Sequence, residues 1–250
     1  MKLSRVLIVI PAGLALMAAV AQAGDKGKQN EGTGRVVDSG SFAVFVNEKR
    51  VATETFSIHE DGNGSLTTSE FKTEGTTDNA VQTSELQLTP TGEIRKYEWK
   101  EISPGKAQAT VVPNDEFLLE RIVRAPGEKA EEQPYLLPAS TSILDDYFFS
   151  HRAILMWRYL SAACKQENGK VQCPVNQPVQ FGALNPHQRT SMPLSISFSG
   201  RDKVAFHGSE RELNKFVMKS ETSDWMLWLD DQFKLMRITI PSERTEVVRD

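Results

Sequence analysis

The sequence predicts a mainly β protein of the α+β class: an antiparallel, strongly curved meander or half-barrel of about ten strands wrapped around one long central helix. Three observations predict this fold. Segments of alternating apolar and polar residues recur at intervals of about 8–12 residues, as in an antiparallel meander. One stretch, about 141–163, has apolar residues at helical spacing. Because no second strong helix is present, strands must cover its apolar face.

The predicted strands form two groups, one on each side of the helix. They are bounded by residues that favour turns, such as Asp61-Gly62-Asn63-Gly64 and Ser199-Gly200-Arg201-Asp202. The first group covers 42–46, 51–59, 65–74, 81–88, 94–102, 107–113 and 116–123. The second covers 194–198, 204–208, 214–220, 225–229 and 233–241. We expect a loop at 124–138, an irregular rim at 182–193 and a polar tail at 242–250.

The helix has a well-marked predicted start. A serine or threonine at 140–142 can cap it, and Asp145 and Asp146 then lie where the helix dipole favours negative charge. Arg152 is expected to reach outward. The apolar stripe, which faces the sheet, contains Leu144, Phe148, Leu155 and Tyr159.

The N-terminal residues predict export. Lys2 and Arg5 precede an apolar run that ends in Ala21-Gln22-Ala23, and this run is too short for a comfortable membrane span. We therefore predict a signal peptide over 1–23, cut after Ala23, a disordered lead-in over 24–38 and a single β-rich domain over 39–250. No cysteine follows the apolar run, so we expect a periplasmic or secreted protein with no stable membrane span after cleavage.

The charge balance argues against nucleic acid as a partner. Cleavage removes Lys2 and Arg5 and no acidic residue, so 27 basic residues face 33 acidic ones, a net charge of −6. Lysines and arginines are also interspersed with acidic residues instead of forming the basic patch that nucleic-acid binders present.

The two cysteines, Cys164 and Cys173, are predicted to form a disulfide bond. They lie nine positions apart at the end of the predicted helix, and an oxidising compartment favours their pairing. No Cys-x-x-Cys motif or nearby histidine supports a redox or metal site instead.

Few residues suggest catalysis. The four histidines, His59, His151, His187 and His207, show no metal-ligand spacing, so we predict no metal and no cofactor. His151 falls near Asp145 and Asp146 on the helix, where a carboxylate-oriented histidine can activate Ser150 or a water. The alternative is a structural polar contact, which the lack of a glycine-elbow serine favours.

At the helix and the final hairpin the sequence resembles known exported domains. A β meander, a helix beginning SILDDYFFSHRAILMWRYL, further strands and a closing WMLWLDDQFKLMRITIPSERTEVVR resemble exported bacterial β-rich domains of unknown function. These are broadly similar to the lipoprotein-localisation carriers of the LolA and LolB type. The likeness is strongest over 140–159 and 225–249. It implies a hollow half-barrel whose concave face holds acyl chains or another apolar ligand, with the helix as a plug or lid.

Three functions are consistent with these patterns. We expect a soluble envelope protein that binds or carries a lipid or other apolar ligand without converting it. The alternative is a structural or protein-interaction module that meets an envelope protein through strand edges or the 182–193 rim. The third is a hydrolase that uses His151. The residues expected to line the ligand cavity are Trp99, Phe148, Leu155, Tyr159, Trp228 and Ile238.

Overall fold

Strands dominate the structure because apolar and polar side chains alternate along most of the chain. The computed structural model describes residues 34–75, 79–167, 170–206 and 208–250. The strands before the helix are β1 (Arg35–Val46), β2 (Lys49–Asp61), β3 (Gly64–Thr73), β4 (Val81–Leu88), β5 (Ile94–Ser103), β6 (Gln108–Asn114), β7 (Phe117–Val123), β8 (Glu131–Tyr135) and β9 (Ser142–Ile143). Helix α1 (Ser150–Ala163) is followed by β10 (Lys165–Glu167), β11 (Lys170–Gln172), β12 (Val179–Asn185), β13 (Thr190–Phe206), β14 (Ser209–Lys219), β15 (Asp224–Leu229), β16 (Leu235–Ile240) and β17 (Thr245–Arg249).

Two antiparallel meanders are joined into one fifteen-stranded sheet. Its order is β8-β7-β6-β5-β4-β3-β2-β1-β17-β16-β15-β14-β13-β12-β9. Consecutive strands pair within each half, and the halves meet where β1 pairs antiparallel with β17, Phe42 opposite Arg249. The short strand β9 pairs parallel with β12 at one edge. The described residues fall within one compact unit, Gly32–Asp250.

The structure is mainly β with one helix, but the predicted arrangement of about ten strands around a long central helix is wrong. The main sheet has fifteen strands, and α1 has 14 residues instead of spanning 141–163. The composition of three segments predicted irregular structure, but the structure contains strands there. The predicted loop contains β8, whose Pro134 is tolerated because β8 is an edge strand. The predicted polar tail contains β17, and the predicted rim contains the end of β12.

The predicted turn at 199–202 is also absent. Strand β13 runs through it, and the register with β14 shifts between Phe198 and Gly200. Gly200 has φ +107°, a conformation that glycine adopts without a steric penalty. The residue that suggested a turn therefore forms a β-bulge inside a long strand.

The helix begins later than predicted because the preceding residues use their backbone groups elsewhere. Residues of β9 pair with β12, and the Leu144 N–H donates to the carbonyl of Leu184. The N-cap residue is Phe149, which makes no side-chain cap, and the first turn contains no acidic residue. Among the described residues, no helix has the length and apolar character needed to cross a membrane.

A buried glutamate from the sheet caps the helix instead. Glu54 of β2 is fully buried and accepts hydrogen bonds from the backbone N–H groups of Phe149 at 2.6 Å and Ser150 at 3.2 Å. These donors are unpaired at any helix N-terminus, so the carboxyl group satisfies them from outside the helix. Burial raises the pKa of Glu54 to about 7, although the hydrogen bonds from Ser150 and Ser69 oppose that shift.

The helix packs against strands from both halves of the sheet. The Ser150 hydroxyl lies 2.8 Å from that of Ser69 on β3, and the Phe198 N–H on β13 donates to the Tyr159 hydroxyl at 3.1 Å. Arg152, expected to reach outward, is buried and donates to the carbonyl of Phe148 at 2.9 Å. The helix is therefore part of the main core on several sides, and not only along its predicted stripe.

The sheet begins earlier in the chain than expected. Strand β1 starts at Arg35, inside the predicted lead-in of 24–38. Asp38 is fully buried and accepts hydrogen bonds from Arg249 at 2.6 and 3.0 Å, which joins the first strand to the last. The predicted signal peptide, 1–23, and the lead-in as far as residue 33 lie outside the described residues.

Cys164 and Cys173 are placed for a disulfide bond, as predicted, with Cα atoms 4.3 Å apart. Cys164 follows the last residue of α1, and the pair encloses the small hairpin of β10 and β11. The bond therefore links the helix end to the segment that leads into β12.

Removing this bond should lower stability. We expect the double variant Cys164→Ser/Cys173→Ser to lose about 2–3 kcal/mol of unfolding free energy, because a short closed loop restricts the unfolded chain by this amount. Chemical denaturation of the variant and of the oxidised wild type measures the difference. Coincident unfolding curves would contradict the prediction.

Glu54 should make stability depend on pH. Its pKa is about 7 in the folded protein and 4.5 ordinarily, so the folded state binds a proton more tightly. Its stabilising contribution is complete below pH 4.5 and is lost as the pH rises through 7. We expect wild type to lose up to about 3 kcal/mol relative to Glu54→Gln across that interval.

Denaturant unfolding at several pH values tests this prediction. Glu60→Gln, which alters an exposed glutamate at the end of the same strand, is the matched control. Parallel pH profiles for wild type and Glu54→Gln would show that Glu54 is not the titrating group.

Candidate functional site

A cavity of about 270 Å³ lies between strands β5–β7 and the turn that joins β12 to β13. Its apolar wall contains Trp99, Ala107, Ala109, Ile122 and Pro186. Its polar wall contains Arg124, His187 and Arg189. Apolar walls with a few convergent polar groups are typical of small-molecule sites, so this cavity is the candidate functional site.

The register of three strands creates the space. Trp99 on β5 lies opposite Ala109 on β6, and Ala109 lies opposite Ile122 on β7. Ala109 is the smallest of the three, so a gap remains above it between the side chains of Trp99 and Ile122. The Trp99 indole donates to Gln82 Oε1 at 2.6 Å, which holds one side of the gap in place.

A second cavity, about 150 Å³, lies beside β2–β4. His59, Asp61 and Arg95 contribute to a largely polar wall. The wall also includes Gly34, which is the first described residue.

The turn that covers the first cavity is anchored by a buried carboxylate. Asp145 is fully buried, and its Oδ2 lies 2.6 Å from His187 Nδ1. The Tyr97 hydroxyl also donates to Asp145 Oδ2, and the Tyr147 N–H donates to Oδ1 at 2.9 Å. Burial alone would raise the pKa of Asp145, but the hydrogen bond and charge of His187 hold it below its ordinary value.

Two aromatic rings fix the His187 imidazole. The ring centroids of Trp99 and Tyr147 lie 4.2 and 4.7 Å from it, both nearly edge to face. Its Nε2 atom is buried and has no hydrogen-bond partner in the described part of the chain. A partly buried imidazole, held by Asp145 and two aromatic rings, thus borders the cavity with one nitrogen that lacks a partner in the described part of the chain.

Acidic residues hold the two arginines of the cavity. Glu131 accepts two hydrogen bonds from Arg124, at 2.9 and 3.1 Å, and one from Arg189 at 3.2 Å. Behind them, Glu120 is fully buried and accepts a hydrogen bond from Tyr135 at 2.7 Å. Burial raises the pKa of Glu120, against the effects of Tyr135 and Arg189.

The structure separates the residues predicted to line a ligand cavity. Only Trp99 lies at the cavity wall. Trp228 belongs to a second apolar cluster, because its neighbours Leu227 and Leu229 point to the main core and adjacent side chains on a strand face opposite ways. The remaining four are at most 1% exposed within the main core: Phe148, Leu155, Tyr159 and Ile238. Contact of any of the six with a ligand stays a prediction.

His151 is buried in the same core. Burial lowers its pKa to about 3, so it is neutral near pH 7, and neither ring nitrogen has a hydrogen-bond partner among the described residues. Ser150, the nucleophile considered for it, bonds to Ser69 instead. Asp146 accepts a hydrogen bond from Asn185. The described contacts therefore give His151 no hydrogen-bonded serine or carboxylate.

Sequence reasoning missed His187 as a site residue. Its partner Asp145 lies 42 positions earlier in the chain, so no local spacing connects them. The only signal was polar and turn-forming character at 185–189, which we interpreted as an irregular rim. No protein-family model, curated protein or solved structure matches the chain, and the resemblance to lipoprotein carriers stays a prediction.

Removing the buried charge that anchors the turn should destabilise the protein. We expect Asp145→Asn to lower the unfolding free energy by about 3 kcal/mol or more, because the uncharged amide has one acceptor oxygen and cannot serve both Tyr147 and the His187–Tyr97 pair in a buried site. The control is Asp224→Asn, an exposed aspartate 3.7 Å from Lys219, which should change stability by less than about 0.5 kcal/mol. Equal losses in denaturant unfolding would contradict the anchoring role.

Proposed function

We propose that the protein is an exported envelope protein that binds a small ligand with an apolar body and does not convert it. The observation that carries the proposal is the 270 Å³ cavity lined by Trp99, Ala109 and Ile122. Export is part of the proposal because of the charged and apolar pattern of residues 1–23.

The proposed ligand lies beside the core and not within it. The main core around α1 contains Phe148, Leu155 and Tyr159 in contact with strands on several sides. A ligand placed there would have to displace packed side chains, which costs several kcal/mol. The cavity at β5–β7 is already open to a ligand and needs no such displacement.

The cavity volume limits the size of the ligand. Pockets for drug-sized molecules are commonly about 300–1,000 Å³, and this one is about 270 Å³. It suits a molecule of two or three rings, or a short acyl chain. A complete long-chain lipid would leave most of its chain outside.

An interaction module of the envelope is the second candidate. Strand β8 is an edge of the main sheet, and the following residue Leu136 is 88% exposed. Edge strands can pair with an added strand from a partner. Crosslinking from a photoreactive residue at position 136 in cells tests this candidate, which a discrete crosslinked partner would favour.

Filling the cavity should weaken ligand binding. We expect Ala109→Leu to weaken binding of the neutral fluorescent probe N-phenyl-naphthylamine by about tenfold or more, because misfit of even one methylene in a pocket costs about 10–200-fold. Thr110→Leu is the control, since Thr110 is the next residue of β6 and points to the opposite face.

Fluorescence titration measures both variants, and circular dichroism shows whether each is folded. Equal probe affinity for wild type, Ala109→Leu and Thr110→Leu would exclude this cavity as the binding site. Native mass spectrometry of protein from an envelope fraction then identifies the class of any molecule that copurifies.

A further inference from the structure

We infer that the ligand of this cavity is an organic anion, whose apolar body lies against Trp99 and Ile122 while its negative group is bound by Arg124 and Arg189. The inference rests on the proposed function, because it names the chemical class of the molecule that the same cavity takes. A carboxylate, sulfonate or phosphate group would satisfy it equally, since each offers coplanar or paired oxygens to a guanidinium group.

The first support is the sign of the charges on the wall. Every titratable residue that lines the cavity in the described part of the chain is basic: Arg124, His187 and Arg189. The acidic residues that contact them, Glu120, Glu131 and Asp145, lie outside the lining. A ligand in the cavity therefore meets two guanidinium groups and an imidazole directly, and the carboxylates only from behind.

The second support is the way in which the two guanidinium groups are held together. Glu131 accepts from both arginines, at 2.9 Å from Arg124 Nε and 3.2 Å from Arg189 Nη1. One carboxylate thus fixes two like charges at one side of the cavity. Glu120 lies further off, with its Oε2 3.8 Å from Arg189 Nε, so carboxylates outside the cavity lining hold the two guanidinium groups at its wall.

The third support is the backbone of Arg189. Its φ is +55°, in the left-handed region that residues other than glycine and asparagine rarely adopt. The turn is held there by Asn185, whose Oδ1 accepts from the Gln188 N–H at 3.1 Å and whose amide donates to Asp146 at 2.6 Å. The turn therefore fixes the backbone from which the Arg189 side chain reaches the cavity wall.

The geometry also gives the ligand an orientation. Glu120 and Ile122 lie on one face of β7, because alternate residues of a strand point the same way, and Arg124 follows the last residue of that strand. Glu120 is fully buried, whereas the Arg124 side chain is 60% exposed. The row therefore runs from the interior to solvent, so the anion lies at the cavity mouth and the apolar body lies further in.

A matched pair of probes tests the inference. N-phenyl-naphthylamine is neutral, and anilinonaphthalene sulfonate has the same ring skeleton with one sulfonate. We expect wild type to bind the sulfonate about tenfold more tightly or better, since a hydrogen bond to a charged group contributes this much. We expect Arg189→Asn and Arg124→Gln each to remove most of that preference, because each should weaken binding of the sulfonate much more than binding of the neutral probe.

The choice of substitution at position 189 and a control variant separate the loss of charge from other effects. Asparagine tolerates the left-handed backbone at position 189, so Arg189→Asn removes the charge without added strain. Arg121→Gln is the control, because Arg121 is an exposed arginine of the same strand that pairs with Glu132 at 2.7 Å on the opposite face. It should retain the full preference for the sulfonate.

The possible outcomes distinguish failure of the anionic ligand class from failure of the proposed binding function. Equal affinity for the two probes, with Ala109→Leu weakening both, would leave the binding function standing and overturn the anionic class. Binding of neither probe, or binding unchanged by Ala109→Leu, would overturn the binding function itself. If Arg121→Gln reduced the preference as much as Arg189→Asn and Arg124→Gln, a general surface charge effect would replace the arginine pair and the inference would fail.

Discussion

The pairing of β1 with β17 is the interaction on which the rest of the structure depends. In the described part of the chain it is the one ladder that joins the two meanders of the main sheet. Beside it lies the buried ion pair of Asp38 and Arg249, whose members are 211 positions apart in the sequence. Removing one member of such a pair costs about 3–5 kcal/mol. The two halves then share a single helix, and the β12–β13 turn of one half lies over β5–β7 of the other.

Buried titratable groups hold that arrangement at two further points. Glu54 fixes the start of the helix, and Asp145 fixes the turn through His187. A charged group in the interior is costly unless it is hydrogen-bonded, so each carboxyl group is surrounded by donors. The Asp145 contact also sets how far the turn stands from Trp99, because His187 contacts both. The width of the cavity thus depends on a hydrogen bond on its inner side.

The sequence predicted the strands that alternate clearly, and it failed where long-range partners override local pattern. The apolar alternation of β2 and β16 was readable directly. Strand β17 was not, because its composition is polar and its Arg249 is buried through long-range partners such as Asp38 and the carbonyl of Ser39. The helix start was misplaced because the cap comes from Glu54, which lies 95 positions from Phe149. Of the residues at the cavity, only Trp99 was predicted to line a ligand site. The contact between His187 and Asp145 has no local spacing that could reveal it.

Two alanines, Ala107 and Ala109, line the cavity at some distance from the packing around α1. Larger side chains there would alter the room for a ligand while leaving the strand register and the helix contacts as they are. Under the proposed function, substitutions at these alanines would change which molecules fit without remodelling the interior. The Asp145–His187 contact is different, because it bears on both the fold of the turn and the width of the cavity.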